Sequence, residues 1–234
     1  MIEARVLRRW LWRAAAIAAL LLLGVQLWFF GWITYWSWAN PADTAFMRHE
    51  LVRLRKSNPA AQLRQQWLPY ERISANLKRA VVSAEDARFL EHDGVDWAAI
   101  HKAYELNKTR GRPARGGSTI SQQLAKNLFL SGERSYLRKV QELALTYMIE
   151  LVWSKRRILE VYLNVVEWGD GLYGAEAAAR YYFGVSAAQL DPEPAARLAA
   201  FLPSPKHYGR MRTGPYLDDR VEVILRNMNA AEIP

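Results

Sequence analysis

The sequence contains no cysteine among its 234 residues. This absence excludes a disulfide scaffold, a zinc–thiolate site and a thiol nucleophile. Strand-like alternation of apolar and polar residues is also missing over any length, as are internal repeats and low-complexity segments. Acidic residues are in the minority, 23 against 32 lysines and arginines, and the net charge is +9. The chain is long enough for one domain with a substantial core, and its charge favours anionic partners: nucleic acid, a membrane surface or a phosphorylated substrate.

Charged residues are absent between Ala14 and Ala42, and alanine and leucine dominate the first part of this stretch. A helix over it would reach about 43 Å at 1.5 Å per residue, which exceeds a hydrocarbon core of about 30 Å. A cleaved signal peptide is the alternative, but the apolar run is too long and no small-x-small cleavage site precedes its aromatic end. We therefore predict a retained transmembrane helix over residues 14–38. Its far end carries an interfacial aromatic belt: Trp28, Phe29, Phe30, Trp32, Tyr35, Trp36 and Trp38.

Basic residues lie on both sides of this predicted span. Four arginines precede it within residues 1–13, and four basic residues follow it within residues 48–56. The first cluster is nearer to the span and has few acidic neighbours, so the positive-inside rule predicts a cytoplasmic N-terminus and an external body.

The rest of the chain predicts a succession of helices separated by short breaks, and hence an all-α fold. An apolar stripe that begins at Ile73 predicts a helix that continues to Phe89 and ends near Gly94. Glycine, proline and capping residues delimit the other predicted helices: 43–56, 96–107, one from Ser118, 135–153, one from Ser154, 174–182 and 192–202.

Residues 116–127 read GGSTISQQLAKN, in which a Ser-Thr pair can cap a helix. Ser118, Gln122 and Lys126 stand at successive i+4 steps, which would stack them along one helix face. Such a face at a helix start suits a phosphate or a ligand rich in hydroxyls, provided that it faces a cleft. A capped surface helix that is merely polar is the alternative.

Glu85 is the first candidate for acid–base chemistry. The apolar stripe before it supplies the partly apolar setting that raises the pKa of a carboxyl, and Asp86 or His92 could orient it. A salt bridge to Arg88 at the end of a helix is the alternative. Helical spacing places Glu85, Arg88, Phe89 and His92 on one face.

Glu142 is the second candidate. Arg138 and Lys139 stand four and three residues before it, on the same side of a predicted helix, although ordinary ion pairing within a helix explains this spacing equally well. Three further polar residues in apolar helices are interpreted as a buried polar network: Glu150, Glu160 and Asn164.

Five segments, in order, resemble the motifs of the peptidoglycan glycosyltransferases, glycosyltransferase family 51. They are 85–94 (EDARFLEHDG), 116–127, 138–142 (RKVQE), 158–184 (beginning ILEVYLN) and 198–205 (LAAFLPSP). The resemblance covers roughly residues 70–210. It departs from the family pattern after Pro205, where many relatives continue to an Asn-Pro. No Ser-x-x-Lys motif occurs and no chain remains for a penicillin-binding module, so the sequence is similar to the monofunctional members of the family.

The resemblance implies a lysozyme-like helical glycosyltransferase domain over residues 70–234, joined through a juxtamembrane helix and connector over 39–69 to the transmembrane helix. It implies polymerisation of lipid II, an undecaprenyl-pyrophosphoryl disaccharide-pentapeptide, into β-1,4-linked glycan with release of undecaprenyl pyrophosphate. It also implies a single-pass protein of the bacterial inner membrane with a periplasmic catalytic domain. The implied partners are lipid II, the growing lipid-linked glycan, the membrane and other cell-wall synthesis or division proteins, and nucleic acid is not among them.

The same resemblance assigns roles by motif position. Glu85 would take the proton from the 4-hydroxyl of the acceptor's N-acetylglucosamine, and Glu142 would act at the donor side. Inverting attack on C1 needs one base, and fixed cations neutralise the departing diphosphate. No cofactor is implied and no carboxylate or histidine cluster has metal-ligand spacing, although Mg²⁺ at the diphosphate is an alternative. The predicted substrate-binding residues are Ser118, Gln122, Lys126, Asn127, Arg134, Arg138 and Lys139.

Two other classes of function stay open. A lytic, lysozyme-like hydrolase would use one protonated glutamate on finished glycan, and it would not need the cations of residues 126–139. A non-enzymatic membrane scaffold would explain the anchor and the positive charge, but not two carboxylates framed by polar residues.

Overall fold

The computed structural model describes residues 2–110, 117–133 and 135–234. The chain separates into two compact units, Met1–Asn40 and Pro41–Pro234. Helices dominate both units, which confirms the all-α prediction. The finer division of the chain into four segments stays a prediction. The helices are α1 (Ile2–Trp36), α2 (Ala45–Ser57), α3 (Ala75–Glu85), α4 (Trp97–Arg110), α5 (Ile120–Phe129), α6 (Tyr136–Val152), α7 (Lys155–Val165), α8 (Ala175–Phe183), α9 (Pro192–Phe201), α10 (Pro205–Met211) and α11 (Pro215–Asn227).

The first unit consists mainly of α1, which is continuous over 35 residues. Its segment Leu7–Trp36 is the one helix of the described residues that is long and apolar enough to cross a membrane. Trp32 packs edge-on against Trp28 and Tyr35, with ring centroids 5.9 and 5.8 Å apart. Helix α1 thus begins before the predicted span of residues 14–38 and ends at Trp36, two residues before the predicted end.

In the second unit, α3 ends at Glu85 and does not continue to Gly94, so the prediction of one helix through this region is wrong. Asp86 leaves the helical conformation, with φ −159° and ψ 70°. Its carboxylate accepts a hydrogen bond from the backbone N–H of Ile120 at 3.0 Å and lies 2.9 Å from His92 Nε2. These contacts hold residues 86–94 as turns, and the shared face predicted for Glu85, Arg88, Phe89 and His92 does not form.

Thr119, from the Ser-Thr pair predicted to cap α5, is the cap, and the helix begins at Ile120, two residues after the predicted start at Ser118. Thr119 Oγ1 accepts the N–H of Gln122 at 3.2 Å, and Gln122 Oε1 accepts the N–H of Thr119 at 3.1 Å. Thr119 Oγ1 also donates to the carbonyl of Gly94 at 2.6 Å. Ser118 precedes the helix, so the predicted stack of three polar side chains along one helix face is reduced to Gln122 and Lys126.

This cap gives a first testable expectation. Thr119→Ala removes the acceptor for an otherwise unpaired N–H, and we expect it to lower the free energy of unfolding by about 1 kcal/mol. Thr119→Ser keeps the hydroxyl and should recover most of that loss, whereas Ser118→Ala should leave the stability unchanged. Thermal unfolding of the purified chain in detergent, followed by near-ultraviolet circular dichroism, measures the difference. Equal losses for the alanine and serine variants of Thr119 would show that its methyl group, and not its cap, supplies the stability.

The buried polar network that the sequence predicted is present in part, because Asn164 is buried in the core of the second unit whereas Glu150 and Glu160 are half-buried. Asn164 is fully buried in α7, where its amide accepts from the N–H of Leu68 at 2.8 Å and donates to the carbonyl of Leu68 at 2.9 Å. Glu150 accepts from Lys155 Nζ at 2.8 Å and from the hydroxyl of Ser121. These hydrogen bonds connect α7 to the segment before α3, and α5 to α6.

A small sheet and two helices were not predicted. The strands are β1 (Arg64–Gln65), β2 (Glu167–Gly169) and β3 (Leu172–Tyr173), in the order β1-β3-β2. Two or three residues are too few to show a period of two, which explains why no strand was predicted. The helices are α10 and α11, and α11 packs on α9 and on α3. This packing brings the last helix of the chain next to the helix that ends at Glu85.

Candidate active site

The carboxylate of Glu85 lies at the C-terminal end of α3 and is held by a chain of hydrogen bonds. Gln123 Nε2, from α5, donates to Glu85 Oε2 at 2.8 Å. The hydroxyl of Tyr162, from the buried helix α7, donates to Gln123 Oε1 at 3.0 Å. With Tyr162 bonded to the amide oxygen of Gln123, the amide nitrogen faces Glu85. Three helices thus fix one oxygen of this carboxylate.

The other oxygen of Glu85 faces α11. Arg220 Nη2 lies 3.4 Å from Glu85 Oε1, and the Glu85 side chain is only 12% exposed. Burial raises the pKa of Glu85 above its usual value, while Gln123 and Arg220 oppose the increase. The salt bridge to Arg88 that the sequence left open does not form, because Arg88 pairs with Asp96. Glu85 is therefore a desolvated carboxylate whose base strength is increased.

Lys126, on α5, lies within electrostatic range of both candidate carboxylates. Burial lowers the pKa of its ammonium group, the charges of Glu142 and Glu85 raise it, and those of Arg138 and Lys139 lower it further. Its Nζ lies 5.5 Å from the centroid of the Phe46 ring, and among the described residues it has no carboxylate within ion-pair distance. A desolvated cation with no paired anion is a favourable neighbour for an anionic ligand.

Glu142 is buried on α6 between two cations. Arg138 Nη1 donates to Glu142 Oε2 at 2.7 Å, and Lys139 Nζ donates to Glu142 Oε1 at 2.5 Å. The pairing expected from helical spacing is therefore present, and each oxygen has its own cation. Because α5 packs on α6, these three residues and Lys126 form one charged group, which we call the cationic cluster. The cluster holds three positive charges and one negative charge, and this balance favours an anion.

A cleft of about 490 Å³ opens beside Glu85. Ser118 contributes to its wall, together with Asp86, Arg88, Asp96 and Lys102, among others. Glu85 and Ser118 therefore share one cavity, where an acceptor hydroxyl could approach the carboxylate.

The family model described as Transglycosylase matches residues 51–229. The chain belongs to the transglycosylase family. Three relatives named biosynthetic peptidoglycan transglycosylase are similar to it over nearly their whole lengths. The relative from Dechloromonas aromatica (strain RCB) is 54% identical over 98% of this chain and 100% of its own length. Those from Janthinobacterium sp. (strain Marseille) and Bordetella pertussis (strain Tohama I) are 56% and 57% identical, over 98% and 94% of this chain and 100% and 93% of their own lengths. The predicted membership of the peptidoglycan glycosyltransferases, and hence enzymatic activity, is confirmed.

The structure of this transglycosylase family member separates the predicted substrate-binding residues into groups. Lys126, Arg138 and Lys139 meet in the cationic cluster, and Ser118 lies in the cleft. Gln122 is buried and its side-chain oxygen belongs to the cap of α5, so only its amide nitrogen could donate to a ligand. Asn127 is also buried on α5. Arg134 lies outside the described residues. The roles of all these residues stay predictions.

Three residues at Glu85 were missed by the sequence reasoning. Gln123 stands next to Gln122 within the second motif, and Tyr162 stands within the fourth, so their motif positions were the available signals. Nothing in the sequence pointed to Arg220, which lies outside the five motifs and 135 residues after Glu85. Among the described residues no group of three or more His, Cys, Asp or Glu side chains could hold a metal ion.

Proposed function

We propose that this chain polymerises lipid II into β-1,4-linked glycan and releases undecaprenyl pyrophosphate. The observation that carries the proposal is the position of Lys126, a desolvated cation within electrostatic range of both Glu85 and Glu142. An anionic leaving group at the cationic cluster would lie near a buried base, as glycosyl transfer from a diphosphate requires.

On the acceptor side, Glu85 acts as the general base. It takes the proton from the 4-hydroxyl of the acceptor's N-acetylglucosamine while that oxygen attacks C1 of the donor sugar. The new bond joins O4 to C1, and the bond from C1 to the diphosphate oxygen breaks with inversion. Burial suits Glu85 to this step because a raised pKa makes the carboxylate a stronger base.

On the donor side, the cationic cluster receives the diphosphate. Negative charge on the leaving group grows toward the transition state, so cations fixed beforehand stabilise that state more than the bound substrate. We assign Glu142 to orienting Arg138 and Lys139, because its two oxygens hold them individually. Arg134 joins this group by motif position. No resident cofactor belongs to the proposal, and Mg²⁺ bound to the diphosphate would arrive with the substrate.

The cationic cluster also favours synthesis over lysis. A lytic enzyme acting on finished glycan expels a sugar hydroxyl and needs a protonated glutamate to supply its proton, but it has no diphosphate to neutralise. A buried carboxyl such as Glu85 could serve in synthesis or in lysis. The cationic cluster, in contrast, would stabilise a leaving group only in synthesis. A scaffold would need neither feature.

Purified full-length chain incubated with labelled lipid II tests the proposed function. We expect labelled polymer that separates from the monomer and is degraded by a muramidase. Release of fragments from finished glycan, without polymer from lipid II, would favour the lytic alternative. Inactivity in both assays would favour a scaffold that acts with other cell-wall synthesis or division proteins.

The proposed substrate sets a requirement on topology. Lipid II is polymerised on the outer face of the inner membrane, so we expect residues 43–234 in the periplasm and residues 1–13 in the cytoplasm. The arginines before the span and the aromatic residues at its end support this orientation. A carboxyl-terminal fusion to a reporter active only in the periplasm should therefore be active, and a cytoplasmic reporter silent. Protection of the body from protease in spheroplasts would place it in the cytoplasm and would contradict the proposed function.

A further inference from the structure

The two oxygens of the Glu85 carboxylate have different environments. Oε2 accepts a well-formed hydrogen bond from Gln123, whose amide is itself held by Tyr162. Oε1 faces the guanidinium of Arg220 at 3.4 Å, beyond the usual length of a charge-assisted hydrogen bond of about 2.7–2.9 Å. Oε1 is therefore the oxygen with the greater capacity to accept a new hydrogen bond.

Packing of helix α11 places Arg220 next to Glu85. Its helix, α11, packs on α3 and α9, and its side chain is only 22% exposed. Its Nε is buried and has no hydrogen-bond partner among the described residues. Among the described residues, Arg220 forms its ion pair with Glu85. A guanidinium held in this way brings a positive charge to Glu85 without chelating it.

The other charged and titratable groups near Glu85 cannot replace this charge. Asp86, next to it in the chain, raises the pKa of Glu85. Tyr162, from α7, is a neutral phenol whose own pKa is raised well above the usual value by burial. Lys126, from α5, lowers the pKa of Glu85 less than Arg220 does and also interacts with Glu142. Arg220 is thus the main cation that opposes protonation of Glu85.

We propose that Arg220 is a positioning residue that keeps Glu85 ionised and leaves Oε1 as the oxygen that receives the acceptor's proton. This inference rests on the proposed function, in which Glu85 is the base. A buried carboxyl without a nearby cation takes up a proton and is then inactive as a base. An arginine bound to both oxygens would also weaken the base, because it would occupy both oxygens and reduce their basicity. The single, long contact of Arg220 opposes protonation of Glu85 and still leaves Oε1 able to accept a proton.

The test compares Arg220→Ala, Arg220→Lys and Arg226→Ala in the full-length chain in detergent. Arg226 is exposed on the same helix, so its variant controls for loss of one positive charge. The pH dependence of kcat/KM reports the pKa of the base in the free enzyme. We expect Arg220→Ala to move the acidic limb upward by about one unit or more, since a cation at this distance lowers a carboxyl pKa by about 1–3 units. Activity should approach that of the unsubstituted chain at alkaline pH, and Arg220→Lys should restore most of the limb's position.

A second measurement does not depend on turnover. The carboxyl of Glu85 can be titrated by carbon-13 nuclear magnetic resonance, with its signal assigned by its loss in Glu85→Gln. An upward shift in Arg220→Ala, absent in Arg226→Ala, supports the inference even if the chain makes no polymer from lipid II, in which case the proposed function alone fails.

Three results would overturn the inference while leaving the proposed function intact. One is an equal loss of activity at every pH with an unshifted limb, which a structural role would give. The second is a raised KM at every pH with an unshifted limb, which direct binding of substrate by Arg220 would give. The third is an unchanged Glu85 titration in a folded Arg220→Ala variant.

Discussion

Replacement of Glu85 by glutamine should abolish polymerisation of lipid II while the body stays folded. The amide has the same shape and still accepts the hydrogen bond from Gln123, but it cannot take a proton from the acceptor hydroxyl. General-base catalysis contributes about 10²–10⁴ in rate, and we expect a loss within or above this range at saturating lipid II. Removing a buried negative charge should not lower the thermal stability, because burial disfavours the ionised form of Glu85.

Glu91→Gln is a matched control for this experiment. It removes a carboxylate from the turns that follow α3, where the Glu91 side chain is 64% exposed and forms a long contact of 3.7 Å with Arg88. Both variants lose one negative charge, but only Glu85→Gln should lose turnover. Near-normal turnover of Glu85→Gln, together with a normal thermal melt, would remove Glu85 from the role of base.

Removal of Lys126 should give the second large effect. In Lys126→Ala the diphosphate loses a cation that is already desolvated before substrate binds, and this cation gains most from the charge that develops on the leaving group. Loss of one preorganised electrostatic contact costs about 10²–10³ in rate, and we expect kcat to fall in this range with a weaker apparent affinity for lipid II. Steady-state and single-turnover kinetics separate the two effects.

Arg138→Ala tests the same cluster from α6 and has a further consequence. Without Arg138 the buried carboxylate of Glu142 loses one of its two cations and is paired only with Lys139. We therefore expect a lower free energy of unfolding as well as a lower rate. Lys56→Ala, an exposed lysine near the end of α2, is the control for loss of a positive charge elsewhere on the body. If Lys126→Ala changed only solubility or membrane association, with normal kinetics on lipid II, the cluster would have no part in the reaction.

The sequence was most informative about features that depend on residues close together in the chain. The uncharged stretch after Arg13 predicted the long apolar helix that the structure contains, because length and composition alone decide whether a helix can span a membrane. The pairing of Glu142 with Arg138 and Lys139 was also predictable, since residues three and four apart on a helix are neighbours. Family membership followed from the order of the motifs, which does not depend on their conformation.

The same spacing argument failed after Glu85, where the chain is not helical. Asp86 leaves the helix because its carboxylate binds the N–H of Ile120, which lies 34 residues later. The start of α5 was placed at Ser118, two residues too early, because the capping Thr119 makes an additional bond to Gly94 that only the folded chain provides. A periodic pattern is informative only within the element that imposes the period, and these boundaries depend on distant partners.

The sequence by itself determined the membrane-length helix, the helical class, the cationic character and the family of this chain. Only the tertiary structure decided the environment of Glu85: its burial, the oxygen held by Gln123 and Tyr162, and the ion pair with Arg220. The physical reason is that composition and periodicity act over a few residues, whereas the pKa of a carboxyl depends on solvent exclusion and on charges brought close by folding. The chemistry that a motif suggests is set by neighbours that lie outside it in the sequence.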